Sequence, residues 1–534
     1  MVGSAGLISV LTPVHDPGPD VLAECLASVA SQRFTNWEHV LVDDASSAPH
    51  VAEMLDAAAR DPRVTVVRSE RNLGIAGASQ LALDAARGGI VALLDHDDVL
   101  TPDALGTMSS VFDDPEVDYA YSDEDVLEPG GRFVEPFFKP DWSPERFRGQ
   151  MYTCHLSAMR ADLAREVGGF RSGFDGSQDW DLILRVTERA RRIVHVPEVL
   201  YHWRVVPTSV LAGTDVKPYA YEAALAALEE HASRVGIDAD VVEQSNRGYF
   251  HLVRRHDGHP LVSIVIPTRG SVGRVWGVDR VMVVEAVRSI VERSTWPAYE
   301  LVVVADDDTP PDVLEEVVEL AGGRARVVTY DRPFNFSAKC NLGASVAHGE
   351  HLVILNDDID VIDSNWMEVL VGFTREPDVG AAGLVLLFED GRVQHAGHVH
   401  LAGNPGHLMF GQLPDSPKNR SALSLDREVA GITGACLAIR RDVFDLVGGF
   451  SEAFASNYND VDLSLKLRAA GFRLVVSAQA RLHHFESVSR DPTVSPVEIA
   501  ALRARWGADL LGDPYYNPNY GMSWDNYPVP LDYV

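Results

Sequence analysis

The sequence predicts two tandem α/β domains, each with a mostly parallel sheet covered by helices on both faces. An apolar strand ending in proline occurs twice, at Leu7–Pro13 and at Leu261–Pro267. Each copy is followed, in the same order, by an acidic strand end, a strand running into clustered Asp, a Val-Gly-Gly-Phe, an Asp-x-Asp-Leu helix and a His. Strands alternate with helices, which is typical of parallel sheets with right-handed crossovers. A repeat of about 260–280 residues is far too long for a solenoid unit and indicates a duplicated domain.

The chain has 534 residues, a hydrophobic content of 46% and a net charge of −32. This charge argues against nucleic acid as a partner and against broad attachment to anionic lipid. The four cysteines are far apart, which indicates reduced thiols rather than a disulfide framework or a zinc site. We recognise neither a signal peptide nor an apolar run of about 18 residues that could cross a bilayer. We therefore expect a cytoplasmic protein, and peripheral association with the cytoplasmic face of the inner membrane stays open.

In the first copy, short apolar runs that end at Pro or Asp predict buried parallel strands. Ligands of such sheets bind at the carboxyl ends of the strands, and this is where the carboxylates occur. The predicted strands are Leu7–Thr12, Trp37–Val42, Val64–Arg68 and Ile90–Leu94, with helices near 20–32, 49–60 and 75–87.

The second copy repeats this plan, and the predicted strands are Val262–Ile266, Leu301–Val304, Arg326–Tyr330 and His351–Leu355, with helices near 280–293, 311–321 and 337–347. Between the copies we predict a helix at Tyr219–Val235 and a strand pair. The segment from Gly512 onward is rich in Pro, Tyr and Asn and is predicted to be an extended arm or lid. The predicted domains are residues 1–206 and 259–511, joined by a connector or subdomain at 207–258 and followed by the arm at 512–534.

Two acidic side chains follow the fourth strand of the first copy. Asp95 and Asp97 alternate in the chain, so in extended backbone both carboxylates point the same way and converge on one cation. Oxygen ligands of this kind suit Mg²⁺ or Mn²⁺. An isolated Asp-x-Asp is more often a solvated turn with a helix cap, but its place after the fourth strand favours the cation site.

A second acidic pair opens a helix in each copy: Asp179 with Asp181, and Asp460 with Asp462. The helix dipole favours a carboxylate at this position. We expect the later residue of each pair to cap the helix and the earlier one to face the cleft.

A histidine follows this helix in both copies, as His202 in the first and as His483 or His484 in the second. A lone His is more often a packed polar residue than a ligand. Its recurrence at the same place after the same helix favours a functional role.

Both halves resemble family 2 glycosyltransferases of the GT-A fold, which are inverting enzymes with nucleotide-sugar donors. The first half carries Leu-Asp-His-Asp-Asp, Val-Gly-Gly-Phe-Arg, Ser-Gln-Asp-Trp-Asp-Leu and Leu-Tyr-His-Trp-Arg. The second half resembles a rhamnosyltransferase-like branch, and the matching segments are Pro333–Ser337, Leu355–Asp358, Thr433–Leu437, Val447–Phe450 and His484–Arg490. The resemblance covers nearly the whole chain.

The resemblance implies a role for each matching residue, and an Mg²⁺ or Mn²⁺ ion on the donor diphosphate. The nucleotide-sugar donor would be bound by Pro13, Asp44, Asp95, Pro267 and Asp306. The metal would be held by Asp97, His202, Asp358 and either His483 or His484. The catalytic bases would be Asp179 and Asp460. The acceptor would be an oligosaccharide or a polyprenyl-linked saccharide in bacterial surface polysaccharide synthesis.

The second copy is less acidic where the metal is expected. Asn356 stands at the place of Asp95, and Asn459 precedes the base where the family usually has an acid. We expect weaker metal binding there, and a different donor or acceptor for each copy. The alternative is that only one domain is catalytic and the other is a pseudo-enzyme or an acceptor-binding module.

Two rival classes are disfavoured. A sugar nucleotidyltransferase would carry a basic Gly-rich loop after the first strand, and Val14–Pro19 lacks basic residues. A binding or scaffolding protein would not need the retained Asp and His sets. Residues 386–428, which lengthen the second copy, are a candidate acceptor loop, and we interpret the histidines of Gln394–His398 as ordinary polar loop residues.

Overall fold

The computed structural model describes residues 4–205, 218–414, 422–485, 495–522 and 528–530. Each half of the chain forms one large mixed sheet flanked by helices, so the predicted α/β class with two tandem GT-A-type halves is confirmed. No helix in the described ranges combines the length and the apolarity that a membrane span requires.

Nine strands of the described first half form one sheet in the order β3-β2-β1-β4-β8-β6-β9-β5, with β7 beside β6. They are β1 (Ser4–Val14), β2 (Trp37–Asp43), β3 (Val64–Arg68), β4 (Gly88–Leu93), β5 (Val99–Leu100), β6 (Val117–Leu127), β7 (Phe133–Phe137), β8 (Ser157–Arg160) and β9 (Arg192–Arg204). The helices are α1 (Pro19–Ala30), α2 (Pro49–Ala58), α3 (Gly74–Ala85), α4 (Ala104–Val111), α5 (Pro144–Gly149), α6 (Ala161–Glu166) and α7 (Gln178–Thr187). The connector contains α8 (Pro218–Val235) and a hairpin of β10 (Ala239–Glu243) and β11 (Phe250–Arg254), as predicted.

The described second half follows in chain order with fourteen strands up to the end of its sheet. They are β12 (Val262–Thr268), β13 (Val272–Val275), β14 (Val278–Val281), β15 (Tyr299–Asp306), β16 (Ala325–Tyr330), β17 (His351–Leu355), β18 (Ile359–Val361), β19 (Val379–Leu387), β20 (Val393–His395), β21 (His398–Leu401), β22 (Asn404–His407), β23 (Arg427–Glu428), β24 (Cys436–Arg440) and β25 (Arg473–His484). The helices are α9 (Met282–Arg293), α10 (Pro311–Leu320), α11 (Phe336–Val346), α12 (Trp366–Thr374), α13 (Arg441–Leu446), α14 (Asn459–Ala469) and α15 (Pro496–Trp506). A last hairpin joins β26 (Tyr520–Met522) to β27 (Pro528–Pro530).

The two sheets have the same strand order, since the second runs β16-β15-β12-β17-β24-β19-β25-β18. In each, the first four strands along the chain are parallel, as predicted, and the next neighbour, β8 or β24, is antiparallel. The short strands β5 and β18 pair antiparallel with β9 and β25. These short pairings hold the chain just after the fourth strand, where the clustered Asp residues lie.

A set of hydrogen bonds near the start of the first strand, here called the polar clasp, recurs in both sheets and explains part of the sequence repeat. Ser9 donates to Glu38 at 2.5 Å, and the backbone N–H of Gly88 donates to Ser9 at 2.9 Å. A Cβ atom at Gly88 would lie 2.5 Å from a backbone carbonyl oxygen, so only glycine fits. Ser263 and Glu300 make the same bond at 2.7 Å in the second half.

The repeated Val-Gly-Gly-Phe has a similar explanation. Gly169 has a φ of +63°, and a Cβ there would lie 2.1 Å from the amide oxygen of Gln80. This close approach lets the backbone N–H of Phe170 donate to Gln80 at 2.7 Å. In the second half Phe450 donates to Asn341 at 2.9 Å. The motif therefore fastens the segment before the Asp-x-Asp-Leu helix to the third helix of each half.

A buried ionic network joins the first half, the connector and the second half. Arg254 on β11 donates to Glu145 at 2.8 Å and to Glu376 at 2.7 Å. Arg473 lies 2.5 Å from Glu428 and 3.5 Å from Glu145. The Glu145 side chain is 1% exposed, and so is that of Glu428. Removing one member of such a network is costly, because the remaining charge is then buried without a partner.

The segment after α15 packs back over the first half. The Asn517 amide donates to Asp123 at 2.9 Å and to the carbonyl of Lys139 at 2.8 Å. Asp513 accepts from the backbone N–H of His400 at 2.9 Å, so the same segment also contacts the second half. The rest of the predicted arm, at 523–527 and 531–534, lies outside the described residues.

Candidate active sites

A cleft of about 960 Å³ opens at the carboxyl ends of the parallel strands in the second half. Five residues predicted from the sequence line it: Pro267, Asp306, Asp358, Asp460 and His484. The structure thus brings together the ends of four strands, β12, β15, β17 and β25, and the start of α14 in one cavity. This is the position at which open α/β sheets bind ligands.

His484 is the histidine beside Asp358. Its Nε2 lies 3.3 Å from the Asp358 carboxylate and 3.1 Å from the Asn356 amide nitrogen. Burial acts to raise the pKa of Asp358, but the charge and hydrogen bond of His484 outweigh it, and the pKa lies below its ordinary value. His483 faces the other way on β25, where its Nδ1 donates to the carbonyl of Phe388 at 3.1 Å.

A buried lysine, which we did not predict, lies at the floor of the cleft. Lys339 on α11 donates to Asp306 at 2.8 Å and to the carbonyl of Thr268 at 2.7 Å. The Thr268 hydroxyl donates to Asp357 at 2.6 Å. Burial, and next the charge of Asp358, raise the pKa of Asp357 to about 7. The only sequence signal for Lys339 was a charge inside an otherwise apolar helical face.

Asp460 lies at the start of α14 with its carboxylate held by backbone donors. It accepts from the N–H of Gly434 at 3.0 Å and from that of Val461 at 2.8 Å. The Nε2 atom of His398 lies 3.9 Å away. Burial acts to raise the pKa of Asp460, yet His398 and the backbone donors hold it below its ordinary value. The carboxylate is therefore ionised near neutral pH and can accept a proton.

The predicted helix caps at Asp181 and Asp462 are wrong, because neither helix has a side-chain cap bond. Asp181 instead lies in an ion pair with Arg185 at 2.6 Å and in another with Arg171. Asp462 accepts from the Trp506 indole at 2.8 Å. Both carboxylates are fully buried and fasten their helix to its neighbours.

In the first half, ligand atoms of Asp95, Asp98 and His155 all lie within 4.8 Å of one another. Tyr201 donates to Asp98 at 2.5 Å, and the backbone of Arg204 donates to it at 2.7 Å. Burial, and next the charge of Asp97, raise the pKa of Asp98 well above its ordinary value. Asp98 and His155 were not predicted, and no pattern in the sequence around His155 pointed to it.

His202 is not a member of this three-residue group. Its Nδ1 donates to the buried Asp125 at 2.6 Å, and its ring stacks on Phe133 at 4.0 Å between centroids. A carboxylate on one ring nitrogen is the usual support of a histidine that ligates a metal through the other. Arg204, two residues along β9, donates to the backbone carbonyl of Asp97 at 2.7 Å, so His202 lies near the Asp97 segment.

Asp179 opens α7 and accepts from the N–H of Trp180 at 2.8 Å. Burial raises the pKa of Asp179, the charge of Asp95 adds to this, and His155 opposes it. These interactions place Asp179 beside the Asp95 group. Asp44 accepts from the backbone of Leu73 at 2.7 Å. Pro13 ends β1, and its carbonyl lies 3.0 Å from the ring of His96.

The comparison that decides the family is a match along both halves. The model of the family described as "Glycosyl transferase family 2" matches residues 9–167 and 263–448. The chain belongs to this family. Each matched range contains the four parallel core strands of its half, except the first residues of β1 and β12, and the Asp cluster after the fourth of them, so the duplication is a duplication of the family 2 domain. Strands β9 and β25, with Asp179 and Asp460, lie beyond the matched ranges.

Two relatives match nearly the whole chain. One is protein y4gI of Sinorhizobium fredii, 40% identical over 98% of this chain and 58% of the relative. The other is the "O-antigen biosynthesis protein RfbC" of Myxococcus xanthus, 39% identical over 97% of this chain and 40% of the relative. The chain therefore spans about half the length of these relatives. Among solved structures, S. aureus TarS is 19% identical with a TM-score of 0.34, covering 42% of this chain and 64% of that one.

The two family 2 domains differ in the atoms they offer a divalent cation. The first offers two carboxylates and an imidazole, from Asp95, Asp98 and His155, which is a hard oxygen set with one nitrogen. The second offers one carboxylate and one imidazole, from Asp358 and His484. Both sets fit Mg²⁺ or Mn²⁺ in residue type, and the second is the poorer in charge.

Proposed function

We propose that both halves are metal-dependent, inverting glycosyltransferases that move a sugar, each from its own nucleotide-diphosphate donor, to a saccharide or lipid-linked acceptor. The observation that carries this is the recurrence, in each half, of a helix-opening aspartate beside a carboxylate and imidazole set. Family membership supports the reaction class. The name of the Myxococcus relative supports a surface polysaccharide as the product.

Asp460 and Asp179 would be the bases. An acceptor hydroxyl is a poor nucleophile, so a carboxylate must take its proton as the oxygen attacks the anomeric carbon. Attack opposite the leaving group inverts that carbon, and one protein carboxylate per site suffices. The backbone N–H groups on Asp460 fix its orientation before the acceptor arrives.

The donor would lie along the strand ends in each half. In the second half Pro267, Asp306 and Lys339 would face the nucleoside side of the cleft, and Asp358 with His484 would hold the cation. In the first half Pro13 and Asp44 would take the nucleoside side. The cation would lie among Asp95, Asp97, Asp98 and His155, with His202 on the neighbouring strand. A bound cation stabilises the negative charge that develops on the leaving diphosphate.

The test is to substitute Asp179→Asn and Asp460→Asn separately and to measure transfer from a panel of nucleotide sugars with Mn²⁺ and a polyprenyl-linked acceptor. We expect each variant to lose one of two transfers. Matched controls are Asp162→Asn and Asp442→Asn, which alter exposed aspartates on the equivalent helices α6 and α13. Full activity in both base variants would overturn the assignment.

The alternative is that only the first half is catalytic, and Asn356 in place of an aspartate favours it. In that case Asp460→Asn would leave all transfer unchanged, while Asp179→Asn would abolish it. The second half would then act as an acceptor-binding module.

A further inference from the structure

Three histidines form a cluster at one side of the second cleft. His395 lies on β20, and the hairpin of β21 and β22 places His398 directly opposite His407. One ring nitrogen of each lies within 4.8 Å of the other two, and the ring centroids are 5.0 to 5.1 Å apart. The expectation that these are ordinary polar loop residues is wrong, because His395 and His398 lie on strands and are buried.

The three rings are closely fixed by their surroundings. The Nδ1 atoms of His395 and His407 lie 2.8 Å apart, and the backbone N–H of Thr433 donates to His395 Nε2 at 3.2 Å. Among the described residues, Nδ1 of His398 is buried and makes no hydrogen bond. A Cβ atom at Gly431 would lie 2.7 Å from that nitrogen, so glycine is needed for the ring to fit.

The cluster is suited to a cation and not to an anion. His395 and His398 are buried, and burial favours the neutral form of an imidazole. Neutral imidazoles present lone pairs, and they do not attract a phosphate or carboxylate. A buried nitrogen without a hydrogen-bond partner is costly unless a ligand occupies it.

We propose that His395, His398 and His407 bind a divalent transition-metal ion, such as Co²⁺ or Zn²⁺, at a site distinct from Asp358 and His484. Imidazole nitrogen is a preferred ligand of these metals. The ion would replace the proton that His395 and His407 share, and that proton would leave to solvent. The long bond from Thr433 would be given up as Nε2 of His395 takes a proton.

Three protein ligands leave coordination positions open, as in catalytic rather than structural metal sites. His398 and His407 both line the cleft, and His398 is the histidine 3.9 Å from Asp460. An ion held here would bind an oxygen of a ligand beside that carboxylate. In the described residues of the first half, β7 pairs with β6 as β20 does with β19, but no strand pair corresponds to the hairpin of β21 and β22.

The test needs no sugar transfer. The full-length protein is stripped of metal with a chelator and titrated with Co²⁺ in the absence of nucleotide, by absorption spectroscopy and calorimetry. We expect one of the ions bound per chain to show the visible absorption of nitrogen-ligated Co²⁺, whichever ions the two carboxylate-containing sites also bind. His398→Gln and His407→Gln should each weaken its binding about tenfold or more, in line with the sensitivity of metal sites to lost ligands and supports.

The matched control is His400→Gln, which alters a buried histidine on the same strand as His398 but outside the cluster. His484→Gln should also keep the ion. Circular dichroism and thermal unfolding establish that each variant is folded. The proposal is overturned if the wild type binds no such ion, if the two cluster variants bind it as well as the wild type, or if only His484→Gln loses it. None of these results bears on the base assignments, which Asp460→Asn tests.

Discussion

The two halves share the strand order along the main path of their sheets and differ in the side chains that line it. Thr12 on β1 bonds to His39 on β2 at 3.0 Å, and the equivalent residues of the second half, Ile266 and Leu301, are buried in one apolar cluster. The clasp of Ser9 is kept in both halves. The Ser–Glu hydrogen bond that joins the first two strands is therefore retained in both halves. The Thr12–His39 pair, which the sheet does not require, is found only in the first.

The proposed bases differ in the same way. Burial raises the pKa of Asp179 above its ordinary value, whereas His398 and backbone donors hold the pKa of Asp460 below it. The same residue type at the same helix start therefore has its pKa moved in opposite directions. Divergence of the surroundings, with the base conserved, is what two sites for different ligands would need.

The largest expected effect is on transfer itself. Loss of a general base typically lowers the rate about 10²–10⁴-fold. We expect Asp179→Asn and Asp460→Asn each to lower one transfer by this factor and to leave the other within about twofold, because each base serves its own cleft. Assaying both transfers in both variants by product mass would show whether the halves are independent. A coupled loss would show that they are not.

The next effect concerns the buried ionic network. Arg254→Ala leaves Glu145 and Glu376 without their shared partner, and loss of one member of a buried pair costs about 3–5 kcal/mol. We expect the free energy of unfolding in urea to fall by this amount. Arg255→Ala, which removes an exposed neighbour on the same chain segment, should leave it nearly unchanged, because exposed ion pairs contribute little. Equal stabilities would show that the halves are held by other contacts.

A smaller effect on the free energy of unfolding is expected from changing the Thr12–His39 pair, which the second half lacks. Thr12→Ile leaves buried His39 without its hydrogen bond and should lower the free energy of unfolding by about 1–3 kcal/mol. Adding His39→Leu recreates the apolar pair of the second half and should recover most of that loss, because both polar partners are then gone. A double variant no more stable than Thr12→Ile alone would show that the two pairs are not interchangeable.

The same double variant should flatten the acid dependence of stability. Burial lowers the pKa of His39 from 6.5 to about 3. In that interval the unfolded chain binds a proton that the folded chain does not, so stability falls as the pH falls from 6.5 toward 3. Urea midpoints across this range measure the slope, and an unchanged slope would show that other groups dominate it.

The smallest effect is a difference in pH profile. Burial raises the pKa of Asp179, whereas His398 and backbone donors hold that of Asp460 low. A base must be ionised to act, so transfer by the first half should fail at a higher pH on acidification than transfer by the second. The log of kcat/KM against pH for each transfer, measured in the variant that lacks the other base, gives the two midpoints. Coincident midpoints would contradict the difference described.

The parallel core could be predicted because each of its strands and helices is indicated by a short stretch of neighbouring residues. β1, β2 and β4 are apolar runs that reach a Pro or an Asp at or near their carboxyl ends, β3 is a short run rich in Val, and the helices between them follow the 3.6 period. Asp358, Asp460 and His484 were predicted because they follow such runs or open such helices. They share one cleft, and their roles stay predictions.

The remaining site features depend on contacts between residues far apart in the chain. His155 reaches Asp98 only because β8 inserts antiparallel beside β4. Lys339 lies on a largely apolar helix, and its partner Asp306 ends β15, a strand more than 30 residues earlier in the chain. The predicted cap at Asp181 failed because an arginine one turn away outcompetes the helix terminus for the carboxylate. No local pattern records such pairings.

The segment from Asp513 to Asn517 contacts both halves of the chain and so restricts how far apart the two proposed sites can move. It touches β21 with one end and the interior of the first half with the other, while Arg254 locks the connector between them. The distance from one proposed base, Asp179, to the other, Asp460, is thereby set by the scaffold. A glycan that is extended at both sites would have to be long enough to reach from one to the other, or it would have to dissociate and rebind. The length of the acceptor would therefore decide which of the two occurs.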